Sequence, residues 1–216
     1  ASGQAVLGGT CLNVGCIPSK ALLDTSHKFS QAQSEFEDLG IMAQGLALDV
    51  AQMQRHKDLI VQNLTKGVAG LLTSNGVEVV TGTATLQAGK ILQVTDAADQ
   101  VSTVAAEHII LAPGSSPVDI PACARDDKMI VDSTGALAFD TVPKTLGVIG
   151  AGVIGLELGS VWSRLGAKVV LLEAVPTFLP TADKQVSKEA LKLFKKQGLD
   201  IRLGAKVTGS KIKKSG

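Results

Sequence analysis

The sequence predicts an α/β fold: a mixed first part with antiparallel strands, then a βαβ unit on a parallel sheet. Three observations carry that reading. Helical and strand periodicities alternate along the chain. A Val- and Thr-rich stretch over residues 77–105 is cut by Gly and Asp into short runs, the signature of strands joined by tight turns. Leu146-Gly147-Val148-Ile149 passes directly into Gly150-Ala151-Gly152-Val153-Ile154-Gly155, then into a helical stretch, then into an apolar run that ends at Glu173.

Taken in order, Gln4-Ala5-Val6-Leu7 reads as the end of a strand or a loop. A helix should run from about Pro18, suited to the first turn, toward Leu39 and stop at Gly40. A second starts on Asp49 as N-cap, carries Val50, Met53, Ile60, Leu64, Val68, Leu71 and Leu72 at helical spacing, and stops at Asn75-Gly76. Val77–Val80, Thr83–Leu86, Ile91–Thr95 and Val101–Ala105 form the expected meander, and Glu107–Ala112 reads as a buried strand entering a turn. Residues 115–145 connect two units through Pro117, Pro121 and Pro143, with a short helix over Ser133–Leu137. The boundary falls near Pro143, giving domains 1–142 and 143–216. Then come a strand at Leu146–Ile149, a helix at Leu156–Leu165 ended by Gly166, and a strand at Lys168–Leu172. An amphipathic helix at Asp183–Gln197 turns Val186, Ala190, Leu191 and Phe194 inward, and Ile201–Leu203 is the next strand. No solenoid-length repeat and no low-complexity segment interrupts this order.

Composition narrows the function classes. The chain has 216 residues, 45% of them hydrophobic, enough for a sizeable core. Lys plus Arg total 21 against 20 acidic residues, so a net charge of +1 gives no electrostatic case for nucleic acid or a membrane surface. No apolar run approaches the ~20 residues that span a bilayer, and the first residues lack the basic start and apolar segment of a signal peptide. With 3 cysteines, the expected compartment is reducing and intracellular, that is, cytoplasmic.

Cys11 and Cys16 lie close together in Gly8-Gly9-Thr10-Cys11-Leu12-Asn13-Val14-Gly15-Cys16-Ile17-Pro18-Ser19-Lys20. Cys16 stands at or just before a helix start, whose partial positive charge favours a thiolate. Gly15 lets the intervening turn bring the two Cα atoms within disulfide range. A redox-active disulfide is the sharp reading; inert core cysteines, half a metal site and a structural bridge are the alternatives. Against a metal, the only other cysteine, Cys123, is far away in a Pro-rich loop, and the histidines are scattered.

In the second part, Gly150 permits a tight turn, Gly152 lets a pyrophosphate approach the backbone, and Gly155 lets helix and strand pack closely. The helix N-terminus then offers free N–H groups and its dipole to the phosphates. Glu173, about 20 residues on, is placed to accept hydrogen bonds from ribose hydroxyls and to repel the extra phosphate of NADP, which favours NAD. Glycines used only for packing are the alternative.

The cysteine segment, with Ala21-Leu22-Leu23 after it, resembles the active-site segment of the dihydrolipoamide dehydrogenase family, within the pyridine nucleotide–disulfide oxidoreductases. Glutathione reductases usually have Val for Leu12 and Lys for Ser19. The resemblance covers essentially the whole chain. It implies an incomplete Rossmann-like FAD-binding domain with an antiparallel β insertion, followed by an incomplete Rossmann-like NAD-binding domain. It implies FAD held around Gly9, Thr10, Cys11, Lys20, Ala84, Ala112, Pro113 and Gly114. It implies NAD held by Gly150, Ala151, Gly152, Val153, Ile154, Gly155, Leu156, Glu157, Glu173 and, at the adenine end, Val207. Cys11 would exchange with dihydrolipoamide, Cys16 would face the flavin, and Lys20 would sit near the flavin ring, paired with Glu157. The expected partners are lipoyl domains of 2-oxo acid dehydrogenase complexes or of the glycine cleavage system, with a homodimer as the assembled state.

Two positions depart from the family pattern: Pro113 stands where Thr is common and Ala84 where Gly is usual. Proline removes an N–H and fixes φ, and the methyl of Ala84 narrows the space for a nucleotide. The resemblance also implies an internal segment of a protein roughly twice as long, inactive alone, because the family's first glycine motif and its His–Glu acid–base pair have no counterpart here. His27, His56 and His108 match no such motif. Two rival functions stand beside this one: a flavin disulfide reductase acting on another disulfide or a metal ion, and a non-enzymatic NAD sensor.

Overall fold

The computed structural model describes residues 7–213. The element predicted at Gln4–Leu7 lies, Leu7 apart, outside the described residues. The chain opens with two helices, α1 (Gly9–Val14) and α2 (Cys16–Ser34), divided at Gly15. The second starts where Pro18 fits a first turn, but it ends well before Leu39. Leu39 is 70% exposed, so no packing holds another turn, and Gly40 takes a left-handed φ of 77°.

Helix α3 (Val50–Ser74) starts on its predicted cap, with the Asp49 carboxylate accepting from the Gln52 amide. Its apolar stripe is only half used. Met53 is buried, whereas Leu64 and Leu71 are exposed. The unpredicted buried member is Lys57, whose ammonium donates to the Leu137 carbonyl at 3.1 Å.

Strands β1 (Thr83–Gln87), β2 (Ile91–Thr95) and β3 (Val101–Ala105) form an antiparallel sheet in that order, pairing Thr83 with Thr95 and Ile91 with Ala105. The β1–β2 turn uses left-handed Gly89 and Lys90. In the β2–β3 turn the Asp96 carboxylate accepts from the Ala98 and Gln100 amides. The strands predicted at Val77–Val80 and Glu107–Ala112 do not form. Both stretches are irregular, and Ile110 and Leu111 are exposed. A strand exists only where a neighbour completes its ladder, and none of the described residues does so for these two.

A single 3-10 turn (Pro121–Cys123) and the short helix α4 (Ser133–Ala136), capped by Asp132, lie in the connecting region. A parallel sheet follows in the order β4 (Thr145–Ile149), β5 (Lys168–Glu173), β6 (Asp200–Leu203). Leu146 pairs with Val169, and Leu171 with Ile201. Helix α5 (Val153–Arg164) links the first two strands, and α6 (Lys184–Lys196) the last two. On α6 the predicted inward face shifts by one residue. Ala190, Leu191 and Phe194 pack on the core, but Val186 is exposed and Ser187 is buried in its place, donating to the Leu179 carbonyl.

The core lies around α5, which packs on β4 and β5 on one side and on α2 on another. Val161, Trp162, Leu171 and Leu22 have no accessible surface. Gly159 sits 3.4 Å from Val169 as measured from where its Cβ would be, so the helix rides close on the sheet. The segment after α4 is held from two sides. Trp162 Nε1 donates to the Ala136 carbonyl at 3.1 Å, Lys57 to Leu137, and Gln54 to Phe139 at 2.8 Å. The carbonyls at the end of α4, which the helix leaves unpaired, are thereby satisfied from both α3 and α5. No described helix is long and apolar enough to cross a membrane.

Candidate redox and dinucleotide site

The cysteine pair is built by glycines. Gly8 and Gly9 have φ of 101° and 64°; Gly8 caps α1 and Gly9 is its first residue. A Cβ on Gly15 would lie 3.0 Å from the Thr10 carbonyl oxygen, so a glycine lets the start of α1 fold back on the start of α2. Cys11 and Cys16 are joined as a disulfide, with Cα atoms 4.6 Å apart. Asn13 staples the loop, its amide donating to the carbonyls of Leu7 and Gly9. Both cysteines are exposed, so an external thiol can reach them. Cys16 is the first residue of α2, where the helix dipole favours a thiolate. That Cys11 itself lies on a helix was not foreseen; the stretch between the two glycine sites is too short for a periodicity to show.

From the first turn of α2, two side chains cross to α5. The Lys20 ammonium lies 2.6 Å from Glu157 Oε1, and the buried Ser19 hydroxyl donates to Oε2. Burial works against the charged carboxylate, but the hydrogen bonds from Lys20 and Ser19 and the ammonium charge outweigh it. The Glu157 carboxyl is therefore held below its ordinary range. The sequence pointed to Lys20 and Glu157, and the structure brings them together. It did not point to Ser19, since the partner of that hydroxyl lies 138 positions away.

The glycine turn links β4 to α5. Gly150 has φ of 99° and its amide donates to the Leu172 carbonyl at 2.8 Å. A Cβ on Gly155 would fall on the Gly150 carbonyl oxygen and lie 3.1 Å from Val148. Gly152 has an extended backbone and caps α5, and a Cβ there would meet nothing within 4 Å. Its smallness serves no contact within the chain, which leaves open room in front of a helix N-terminus that no side chain caps. That is the cradle a pyrophosphate fits. Glu173 takes two backbone amides: Oε2 accepts from Ala151 at 2.9 Å, and Oε1 from Val175 at 3.1 Å.

A cleft of about 580 Å³ runs along this turn, with Gly150, Gly152, Val153 and Ile154 on one wall and Ile130, Val131 and Phe139 on another. Val153 and Ile154 are exposed beside it. Two predicted contact residues face the other way: the side chains of Ala151 and Leu156 are buried in the core, so only their backbone is available. Val207 is half-buried in irregular chain after β6. Ala84 is exposed on β1, and Ala112, Pro113 and Gly114 are exposed in irregular chain. No hydrogen bond among the described residues ties these last four to the redox helices. His27, His56 and His108 are exposed. Cys123, a free thiol, is half-buried on the cleft wall.

The sequence matches the family described as pyridine nucleotide-disulphide oxidoreductase over residues 3–216. It is 48% identical over 216 residues to a dihydrolipoyl dehydrogenase of Cupriavidus necator, covering 99% of this chain and 45% of that protein. It is 43% identical to the mitochondrial dihydrolipoyl dehydrogenase of Pisum sativum, covering 95% of this chain and 41% of that protein. The crystal structure of LpdA from Mycobacterium tuberculosis superposes with a TM-score of 0.85 at 21% identity, covering 94% of this chain and 45% of that one, and so shares the fold. The chain thus spans less than half the length of these relatives. A disulfide at a helix start, tied through one carboxylate to a glycine-turn helix, agrees with the match: the chain belongs to the pyridine nucleotide–disulphide oxidoreductase family.

Proposed function

We propose that the chain carries the dithiol and dinucleotide machinery of a dihydrolipoyl dehydrogenase, an NAD-dependent flavoprotein that oxidises dihydrolipoamide to lipoamide. The observation that carries this reading is the Ser19–Glu157–Lys20 junction, which joins the helix bearing the cysteine pair to the helix bearing the glycine turn. The identities to curated dihydrolipoyl dehydrogenases support the choice of substrate.

One substrate thiolate attacks Cys11 Sγ. The Cys11–Cys16 bond breaks, and Cys16 leaves as a thiolate stabilised by the N-terminus of α2. The second substrate thiol then attacks the substrate sulfur of the mixed disulfide, forming lipoamide and releasing Cys11. Two electrons have passed to the cysteine pair, and two protons have left the substrate. FAD, when bound, supplies the chemistry that links this dithiol to a nicotinamide. Gly9, Thr10, Cys11 and Lys20 would hold it at the redox helix, and Ala84 with Ala112–Gly114 at its nucleotide end. Lys20 would place a positive charge beside the flavin, anchored by Glu157. Gly150–Gly155 and the backbone at Leu156 and Glu157 would hold the NAD pyrophosphate, Glu173 the ribose and Val207 the adenine end. A carboxylate at 173 disfavours the extra phosphate of NADP. A boundary near Pro143, cytoplasmic placement, a homodimer and lipoyl-domain partners belong to the same reading.

The test, in the FAD-loaded full-length protein rather than in this segment alone, is dihydrolipoamide-dependent reduction of NAD. The reading predicts turnover that Cys11→Ser and Cys16→Ser each abolish and that NADP supports poorly. Turnover that survives either substitution contradicts it.

A further inference from the structure

Ser19 is 6% exposed, and its hydroxyl spends its hydrogen on Glu157 Oε2. The neighbouring Lys20 bonds the other oxygen of the same carboxylate. This is a two-point attachment from consecutive residues of one helix turn, set just after Pro18, which is itself buried. The Lys20–Glu157 pair would hold poorly by itself. The side chains are 59% and 32% exposed, and ion pairs that meet water contribute little and wander in geometry. A carboxylate bonded at one oxygen is still free to turn about its last bond. A second bond to a short, buried hydroxyl stops that rotation, and serine has little side-chain freedom to lose.

We propose that Ser19 is a positioning residue: by fixing the plane of the Glu157 carboxylate it turns Oε1 toward Lys20, and so holds in place the Lys20 ammonium, on α2 about one turn beyond Cys16. The consequence for catalysis rests on the function proposed above; the attachment itself does not.

Titrating the Glu157 carboxyl by carbon-13 NMR in the full chain tests the attachment. Ser19→Ala should raise the proton affinity of Glu157 about three- to tenfold, because a hydrogen bond to the charged form is lost. Ser19→Thr, which keeps the hydroxyl, should return it to the parent value. In the same variants of the FAD-loaded full-length protein, kcat for NAD reduction should fall several-fold with Ala and recover with Thr, while the KM for NAD stays within twofold. A Glu157 titration unmoved by Ser19→Ala overturns the proposal, and so does one displaced equally by Thr. If the full-length parent protein shows no dihydrolipoamide-dependent NAD reduction, the proposed function fails, and the titration still decides the role of Ser19.

Discussion

Glu173 accepts a hydrogen bond from the Ala151 amide at 2.9 Å, so the carboxylate that ends β5 also closes the glycine turn between β4 and α5. One side chain thus braces the turn proposed above to hold the NAD pyrophosphate, and is itself the proposed ribose acceptor. Glu173→Gln keeps one acceptor oxygen for two backbone amides. It should cost about 1–3 kcal/mol of stability and weaken NAD binding. Urea unfolding and calorimetric titration with NAD report the two effects separately.

Gly155 and Gly152 should respond to alanine in opposite ways. At 155 the new methyl falls on the Gly150 carbonyl oxygen, so α5 must shift, at about 1–3 kcal/mol. At 152 it enters open space, so folding should be unaffected while NAD affinity drops at least tenfold. Melting temperature against NAD affinity for the two variants checks this. A Gly152→Ala protein that binds NAD normally would show that the open space is not the phosphate site.

Lys57 is a buried cation that serves the Leu137 carbonyl, with Asp58 at 3.1 Å. Lys57→Met keeps the volume and leaves that carbonyl unpaired, at about 1–3 kcal/mol. Trp162→Ala empties the centre of the core as well as freeing the Ala136 carbonyl, and should cost about 3–5 kcal/mol. Chemical denaturation of both variants measures these losses.

The depressed Glu157 carboxyl fixes the sign of a pH effect. A group whose folded pKa lies below its unfolded one contributes in full above the unfolded value and loses that contribution as pH falls through the folded one. The contribution of Glu157 should therefore be complete at neutral pH and fade below the ordinary glutamate value of 4.5. Glu157→Gln should flatten the acid side of the stability–pH profile and leave the alkaline side unchanged. Thermal melts across that range check it.

What could be read from the sequence was what local chemistry decides. Asp49 caps α3 because its carboxylate reaches an amide three residues on. The glycine turn declares itself because Gly150 needs a left-handed φ and Gly155 a bare Cα. The pairing of Cys11 with Cys16 follows from a short loop with Gly15 in it. What escaped was decided by distant partners. Val77–Val80 and Glu107–Ala112 have strand-like composition, but composition does not supply a neighbouring strand. Val186 and Ser187 exchange places because the Ser187 hydroxyl donates to the Leu179 carbonyl in the segment before α6. Ser19 reads as one more residue of a helix start until α5 brings Glu157 to it.

The most direct measurement follows the thiols of Cys11 and Cys16 in the FAD-loaded full-length protein by alkylation and mass spectrometry, without oxygen. One equivalent of dihydrolipoamide should make both cysteines alkylatable, and NAD added before the alkylating agent should return both to the disulfide. Cysteines that stay protected after dihydrolipoamide, or stay reduced after NAD, would contradict the account.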